Sequence, residues 1–165
     1  MLRLGATHAL LRKWKPGAPA MTAAAHAISG EIRRAVLLNP ACIACGDENP
    51  CGLHLHFSTG QEMTSAAWTP AEPWQGFRGV IHGGIVATVL DEAMSKAVVA
   101  HGWEALTVEL KVRLRAKVVP GEKLRVSGKV VSRQGRQILT EAALLDSLGA
   151  ERAHAWGKFL VPRHK

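Results

Sequence analysis

The segment Gly83–Ala100, which reads GGIVATVLDEAMSKAVVA, decides the fold of this 165-residue chain. After its two opening glycines it contains neither Gly nor Pro, and its residues are apolar on most sides. Such a run predicts a long helix that is largely buried, with Gly102 as the residue that ends it.

The sequence on both sides of this helix alternates between apolar and polar residues, as strands with one buried face do. After the helix the pattern predicts strands over residues 108–118, 123–132, 137–146 and 152–161, with turns at 120–121, 134–135 and 148–149. Before the helix it predicts a strand over residues 52–58 and a weaker one over 62–68. This order of elements predicts an α+β architecture in which an antiparallel sheet wraps around the central helix.

The composition argues against an integral membrane protein. Hydrophobic residues make up 47% of the chain and charged residues 21%, and no stretch approaches the ~18 consecutive apolar residues of a membrane span. The three cysteines cannot form a closed set of disulfides within one chain, which favours a reducing compartment. We therefore expect a cytoplasmic protein that does not bind membranes.

Residues 39–165 are expected to form one domain, preceded by a poorly ordered basic leader over residues 1–38 whose last eight residues can form a short helix. The first thirty residues contain no acidic residue but four basic ones. Three of these interrupt the apolar core that a secretory signal needs, whereas an organelle transit peptide and a later start at Met21 both fit. The four basic residues are Arg3, Arg12, Lys13 and Lys15.

The net charge of +8 raises the question of nucleic-acid binding. Its distribution is uneven: residues 1–38 contribute +5, residues 39–102 contribute −4, and residues 103–165 contribute +7. Because the positive charge does not form one patch along the sequence, we do not expect nucleic acid as a partner.

A motif lies at the start of the helix, where residues 75–84 read QGFRGVIHGG and residues 90–93 read LDEA. The motif resembles the signature of the PaaI-type hotdog thioesterases, including the branch of the THEM thioesterases. Two spacings make the resemblance specific: Asp91 follows His82 by nine residues, and Thr107 follows Asp91 by sixteen. The resemblance covers residues 40–162 and implies a hotdog fold, an acyl-CoA substrate, and neither a cofactor nor a metal.

The resemblance also implies roles for the motif residues. The N–H of Gly83 would polarise the thioester carbonyl, with His82 orienting the loop and Gly84 contributing to substrate binding. Physically, the start of a helix offers unpaired N–H groups and the positive end of a dipole, and glycine permits close approach. Asp91 would act as general base on a water molecule or attack the carbonyl directly, and the residues leave both routes open.

Two adjacent carboxylates compete for the catalytic role. Glu92 has Lys96 four residues later, so an ordinary ion pair explains it. Asp91 has no basic residue three or four positions away. An unpaired carboxylate on a buried helix is costly and often functional, so we assign the chemistry to Asp91.

The spacing of Gly83 and Asp91 predicts a shared active site. Eight helical residues separate them by about 12 Å at ~1.5 Å per residue, which one carbonyl and one water molecule do not bridge. We therefore expect Gly83 of one subunit to act with Asp91 of another, in a homodimer or a dimer of dimers, as the hotdog resemblance also implies.

Thr107 and Gln75 match the family pattern less directly. Thr107 corresponds to a hydroxyl residue near the aspartate, yet the strand alternation places it in a solvent-facing row, so that either a bulge turns it inward or the match is accidental. Gln75 lies near, but out of register with, an amide used for substrate binding by some relatives.

Lys111 and Arg113 are candidate contacts for the phosphates of coenzyme A. They belong to a row of four basic residues at alternate positions of the predicted strand, 111, 113, 115 and 117. A solvated strand face explains the same pattern.

The cysteines permit a different hypothesis. Cys42, Cys45, Cys51 and His54 supply enough ligands for a tetrahedral zinc ion. However, the CxxC pair is not matched by a second one, and strand alternation explains His54. Similar hotdog proteins also carry this segment without an obligatory metal, so we predict no metal site.

Two other functions remain as alternatives. The first is a hotdog dehydratase or hydratase that uses a histidine and a helical carboxylate such as Glu92. These enzymes carry a motif similar to HFPG before the helix, whereas residues 74–77 read WQGF here and lack histidine. The second is a module that binds acyl-CoA or nucleic acid without catalysis. Release of a free thiol would distinguish the first, and survival of binding after Asp91→Ala the second.

Overall fold

The computed structural model describes residues 39–60 and 63–163. The predicted leader, its short helix and the first residue of the predicted strand over 62–68 lie outside these residues. The described elements comprise one α-helix, one short 3-10 helix and eight strands: β1 Ser58–Thr59, β2 Thr64–Trp68, the 3-10 helix Glu72–Trp74, β3 Gln75–Phe77, β4 Val80–Ile81, α1 Gly83–Ala100, β5 Leu106–Leu114, β6 Leu124–Gln134, β7 Gln137–Asp146 and β8 Glu151–Leu160.

Helix α1 confirms the prediction made from its sequence. It spans 18 residues, and the seven fully buried ones are distributed along its length. His101 forms the C-cap, and Gly102 follows with a φ of 76°. Glycine adopts this left-handed conformation without the steric penalty of a Cβ, which is why the helix ends here.

The helix packs against one face of a six-stranded antiparallel sheet. The strand order is β1-β2-β6-β7-β8-β5, and β3 and β4 form a separate two-stranded hairpin. The core is the layer between the helix and the alternate residues of β6, β7 and β8, including Val126, Ile138, Leu144 and Phe159. The predicted α+β fold, an antiparallel sheet with one long helix against it, is confirmed.

The helix approaches the sheet most closely at Gly128 of β6. A Cβ at this position would lie 2.2 Å from the carbonyl oxygen of Ala93, a distance that a rigid backbone does not allow. On the adjacent strand β2, the buried Thr64 hydroxyl donates a hydrogen bond of 3.0 Å to the same oxygen. These contacts fix the middle of α1, and with it Asp91 and Glu92, relative to the sheet.

Two strand predictions differ from the structure. Of the predicted strand over 52–58 only Ser58 pairs with a strand, as the first residue of β1. Leu53 and Leu55 are buried as the alternation predicts, but their N–H groups donate to Ile43 and Ala44 in the preceding loop. The apolar alternation therefore predicted the burial of these side chains correctly, but the backbone here pairs with a loop instead of a strand.

The strand predicted over 108–118 is shifted towards the N-terminus. It begins at Leu106 and ends at Leu114, after which the N–H groups of Arg115 and Ala116 both donate to the carbonyl of Arg152 in β8 and the regular pairing stops. Val118 is buried next to the hairpin, where its carbonyl accepts a hydrogen bond of 2.9 Å from the N–H of Ile81. The alternation continued past Leu114 because Val118 packs inward from a segment outside the sheet.

Candidate active site

His82 caps the start of α1 and orients the loop before it. Its Nδ1 accepts a hydrogen bond of 2.9 Å from the N–H of Gly84, and its own N–H donates to the carbonyl of Trp74 at 2.9 Å. A Cβ on Gly76 would lie 2.9 Å from the imidazole, so only glycine fits beneath the ring.

Gly83 is the first helical residue, and its N–H is free to bind a ligand. Within the described ranges, 39–60 and 63–163, this N–H donates to no protein acceptor. In contrast, the N–H of Gly84 donates to His82 Nδ1, and those of Ile85 and Val86 donate to the carbonyl of His82. An unpaired N–H at a helix start carries part of the positive end of the helix dipole. The arrangement suits a carbonyl oxygen that gains negative charge.

Asp91 lies in the middle of α1, half-buried and within reach of β5. The Thr107 hydroxyl donates a hydrogen bond of 2.9 Å to Asp91 Oδ1. This contact exists because the register of β5 against β8 shifts between Thr107 and Glu109. The bulge turns Thr107 to the helix side, which answers the question that strand alternation left open.

The surroundings of Asp91 favour its protonated form. Burial raises the pKa of the Asp91 carboxyl above its ordinary value, and the negative charge of Glu92 adds to this. The hydrogen bond from Thr107 opposes the rise because it stabilises the carboxylate. A carboxyl group with a raised pKa is a better proton acceptor than an ordinary aspartate once it is ionised.

Glu92 points to a different partner, as the sequence predicts. Its carboxylate lies 3.2 Å from Lys96 Nζ, and both side chains are only 15% exposed. The ion pair accounts for Glu92 without catalysis.

The remaining predicted site residues make other contacts. Gln75 holds the β3–β4 hairpin together: its Nε2 donates to the carbonyl of Glu72 at 2.9 Å, and its Oε1 accepts from the N–H of Gly79. Lys111 and Arg113 are exposed on β5, on the sheet face opposite the helix. Lys111 Nζ lies 5.7 Å from the centre of the Trp156 ring.

The sequence analysis missed an apolar surface on β5. Leu110 and Leu114 lie on the helix side of this edge strand, yet 38% and 53% of their surfaces are exposed. A Cβ on Gly83 would lie 2.8 Å from Leu114 Cδ1, so the apolar surface adjoins the free N–H. Alternation alone predicted that these leucines would be buried. Their exposure follows from the edge position of β5, which the sheet order shows and the sequence does not.

The cysteine segment is organised differently from the four-ligand hypothesis. Cys51 and His54 are exposed, whereas Cys42 and Cys45 lie next to Glu92, with the three ligand atoms within 4.8 Å of one another. Burial, together with the Glu92 carboxylate, raises the pKa of the Cys45 thiol to about 12. In the structure Cys42 and Cys45 are therefore grouped with Glu92 and not with Cys51 and His54. No sequence pattern linked Glu92 to the cysteines.

The sequence of this domain matches that of a known family. Residues 78–153 fit the sequence model of the thioesterase superfamily, and this range contains His82, Gly83, Asp91 and Thr107. A search among curated proteins returned no significant match. Residues 78–153 are therefore similar to the thioesterase superfamily, and the fold of the domain is the hotdog fold.

Solved structures of the same fold support this assignment. A thioesterase superfamily protein is 26% identical with a TM-score of 0.69; the match covers 74% of this chain and 63% of that protein. The PaaI protein of the E. coli phenylacetic acid degradation operon is 16% identical, with a TM-score of 0.62, over 66% of this chain and 83% of PaaI. A hypothetical thioesterase from Streptococcus pneumoniae with coenzyme A is 13% identical, with a TM-score of 0.63, over 67% and 88%.

Among the described residues, no helix is both long and apolar enough to cross a membrane.

We predict that Asp91→Asn stabilises the fold at neutral pH. A carboxyl whose pKa is raised by folding contributes stability that is present below its unfolded pKa and is lost as the pH rises through its folded pKa. Asn does not titrate, so the free energy of unfolding of the variant relative to the parent should increase from pH 4 to pH 7. Chemical denaturation at both pH values measures this.

Asp146→Asn is the matched control. Hydrogen bonds from the N–H groups of Ala150 and its neighbours lower the pKa of the Asp146 carboxyl, so its stabilisation is present at neutral pH and lost on acidification. The Asn variant should therefore lose stability relative to the parent as the pH rises. Parallel behaviour of the two variants would contradict the burial argument for Asp91.

Proposed function

We propose that this protein is an acyl-CoA thioesterase that hydrolyses the thioester to a free acid and coenzyme A. The observation that carries the proposal is the pairing of Asp91 with Thr107 on a helix whose first N–H, that of Gly83, has no acceptor among the described residues. One feature supplies a base or nucleophile and the other an oxyanion donor, which are the two requirements of acyl transfer.

In this proposal the thioester carbonyl oxygen accepts a hydrogen bond from Gly83 N–H. Attack at the carbonyl carbon places negative charge on that oxygen, and the helix start stabilises it. Asp91 serves in one of two ways: it removes a proton from the attacking water, or it attacks first and forms an anhydride that water then opens. The coenzyme A thiolate leaves in either case. His82 positions the loop through its bond to Gly84, and Gly84 completes the substrate-facing turn.

The reaction requires two chains. Gly83 and Asp91 of one helix lie about 12 Å apart along its axis at ~1.5 Å per residue, farther than one reacting carbonyl and a water molecule extend. Strand β5 ends the sheet and exposes Leu106, Val108, Leu110 and Leu114. A long apolar edge strand is a surface that proteins normally cover. We propose that a second copy covers it, in a dimer or a dimer of dimers, and brings its Asp91 to this chain's Gly83.

Coenzyme A is the expected carrier of the acyl group. The S. pneumoniae relative was crystallised with coenzyme A, and the exposed Lys111 and Arg113 are suitable partners for its phosphates. Variants of that relative replace an aspartate and a threonine that are sixteen residues apart, the same separation as between Asp91 and Thr107. We infer a similar pair here.

The dehydratase alternative finds less support. Its histidine would stand where residues 74–77 read WQGF, and the Gln75 amide there is bonded to Glu72 and Gly79 within the hairpin. Glu92, its helical carboxylate, is paired with Lys96.

The first test is thiol release from short, medium, long and aromatic acyl-CoAs. We expect release from at least one class, and a loss of about 10²–10⁴-fold in kcat for Asp91→Ala, the range of a general base. Asp146→Asn, a change of a turn residue, should retain parental activity. No thiol release from any acyl-CoA would refute the proposal. If the parent protein is inactive and the Asp91→Ala variant still binds acyl-CoA, the result would favour a binding module.

A second prediction concerns the pH profile. Because the Thr107 hydroxyl lowers the pKa of Asp91, Thr107→Val should raise that pKa and move the acid limb of kcat/KM to higher pH. Thr107→Ser keeps the hydroxyl and should retain the parental limb. An equal shift in both variants would mean that Thr107 acts through packing rather than through its hydrogen bond.

A third prediction isolates the oxyanion donor. Gly83→Pro removes the N–H at the first helical position, where proline is well tolerated, and adds ring atoms next to Leu114. His82 already has extended angles that suit a residue before proline. We expect kcat to fall about 10²–10³-fold. Gly83→Ala adds the same contact with Leu114 but keeps the N–H, so it should retain most activity.

Mixing the two inactive variants tests the shared site. In a mixed dimer of Gly83→Pro and Asp91→Asn chains, one of the two sites combines the intact Gly83 with the intact Asp91. After random exchange at equal amounts, about a quarter of parental activity should return. No recovery, in a sample that mass spectrometry shows to contain mixed dimers, would place both groups in one chain.

A further inference from the structure

The loop over residues 39–51 folds tightly and presents its cysteines to helix α1. The N–H of Gly46 donates to the carbonyl of Cys42 at 3.0 Å, and that of Glu48 donates to the carbonyl of Pro40 at 3.0 Å. A Cβ on Gly46 would lie 2.4 Å from the Pro40 oxygen, so the turn after Cys45 accepts only glycine. Ala44, between the cysteines, is buried in the core. The two thiols therefore have fixed positions.

From this juxtaposition we propose that Cys42, Cys45 and Glu92 bind a zinc ion. Their ligand atoms lie within 4.8 Å of one another, and all three side chains are half-buried. Tetrahedral zinc with Zn–S bonds of ~2.3 Å separates its ligands by about 3.8 Å. Because the separations are no more than 4.8 Å, binding would shorten each of them by at most about 1 Å. The three protein ligands leave one position for a water molecule.

A backbone hydrogen bond orients one of the thiols at the cluster. The N–H of Ala44 points at Cys42 Sγ, with an N to S distance of 3.4 Å. Hydrogen bonds of this kind orient ligands and tune metal sites.

The charges of the cluster balance when zinc is bound. Two thiolates and the Glu92 carboxylate carry three negative charges, and zinc supplies two positive ones. Lys96, whose Nζ lies 3.2 Å from Glu92 Oε1, supplies the third positive charge. A half-buried site with no net charge avoids most of the desolvation cost that an unbalanced one carries. One carboxylate oxygen can remain with Lys96 while the other binds the ion.

This site is separate from the proposed reaction centre. Consecutive helical residues point about 100° apart, so Asp91 turns towards Thr107 while Glu92 turns towards the cysteine loop. The ion would fasten residues 39–51 to the middle of α1 without contact with the substrate. The inference does not depend on the thioesterase proposal.

The experiment uses the full chain without a polyhistidine tag, fully reduced and stripped of metal with a chelator. Zinc is added in competition with a chromophoric chelator, and the reactive thiols are counted with a disulfide reagent before and after. We expect one ion per chain and protection of two of the three thiols, with the exposed Cys51 still reactive. Cobalt in place of zinc should produce a thiolate-to-cobalt charge-transfer band.

Matched variants locate the site. Cys42→Ser and Cys45→Ser should each weaken zinc binding more than about 100-fold, since loss of an outer partner alone causes up to that amount. Glu92→Gln should weaken it by at least about 10-fold, and Cys51→Ser should bind as the parent does. The proposal is wrong if the parent shows no zinc-dependent thiol protection, if Cys51→Ser abolishes binding, or if Cys42 and Cys45 are isolated as a disulfide that reductants leave intact. The thiol count on the parent decides the matter even if a cysteine variant fails to fold.

Discussion

The close contact between the middle of α1 and the sheet determines the rest of the structure. At Gly128 the backbone of β6 approaches the carbonyl of Ala93 too closely for any side chain, and Thr64 adds a hydrogen bond to that carbonyl. Protein interiors are packed densely enough that such a contact fixes both partners. Asp91 and Glu92, which immediately precede Ala93, therefore have defined directions relative to β5 and to the cysteine loop.

The energetics of Asp91 show what the candidate active site demands of the fold. Burial makes the ionised carboxylate less favourable, and the Thr107 hydroxyl recovers part of that loss. A residue kept solely for stability would have a charged partner, as Glu92 has in Lys96. The fold maintains a carboxylate with one neutral hydrogen-bond donor, a state that favours reactivity over stability.

The open edge of the sheet bears on the assembly of the protein. Most of the large exposed hydrophobic residues on the strands belong to β5, and this strand has a neighbour on one side only. A helix whose first N–H and central carboxylate are too far apart for one reacting group lies beside it. The unpaired edge and the distance between Gly83 and Asp91 both support the proposal that a second chain completes the site.

How far the sequence predicts this molecule differs from element to element. The helix over 83–100, the strand over 137–146 and the turns at Gly121, Gly135 and Gly149 follow from local patterns, because periodic burial and a left-handed φ each leave a mark in neighbouring residues. The motif at His82, Gly83 and Asp91 was likewise visible, and its catalytic roles stay predictions. Alternation also identified Leu53 and Leu55 as buried. It did not show that their N–H groups pair with a loop, because burial constrains side chains rather than hydrogen-bond partners.

Tertiary structure alone decided the features that join distant segments. The bulge that turns Thr107 towards Asp91 depends on the register between β5 and β8. The meeting of Cys42 and Cys45 with Glu92 joins residues almost fifty positions apart. Neither contact can be read from a local periodicity, because each forms where two elements that are distant in sequence pack together. The sequence by itself determined the long helix, the long strands and the candidate residues for the chemistry, because each of these leaves a local pattern; packing determined which of those residues meet.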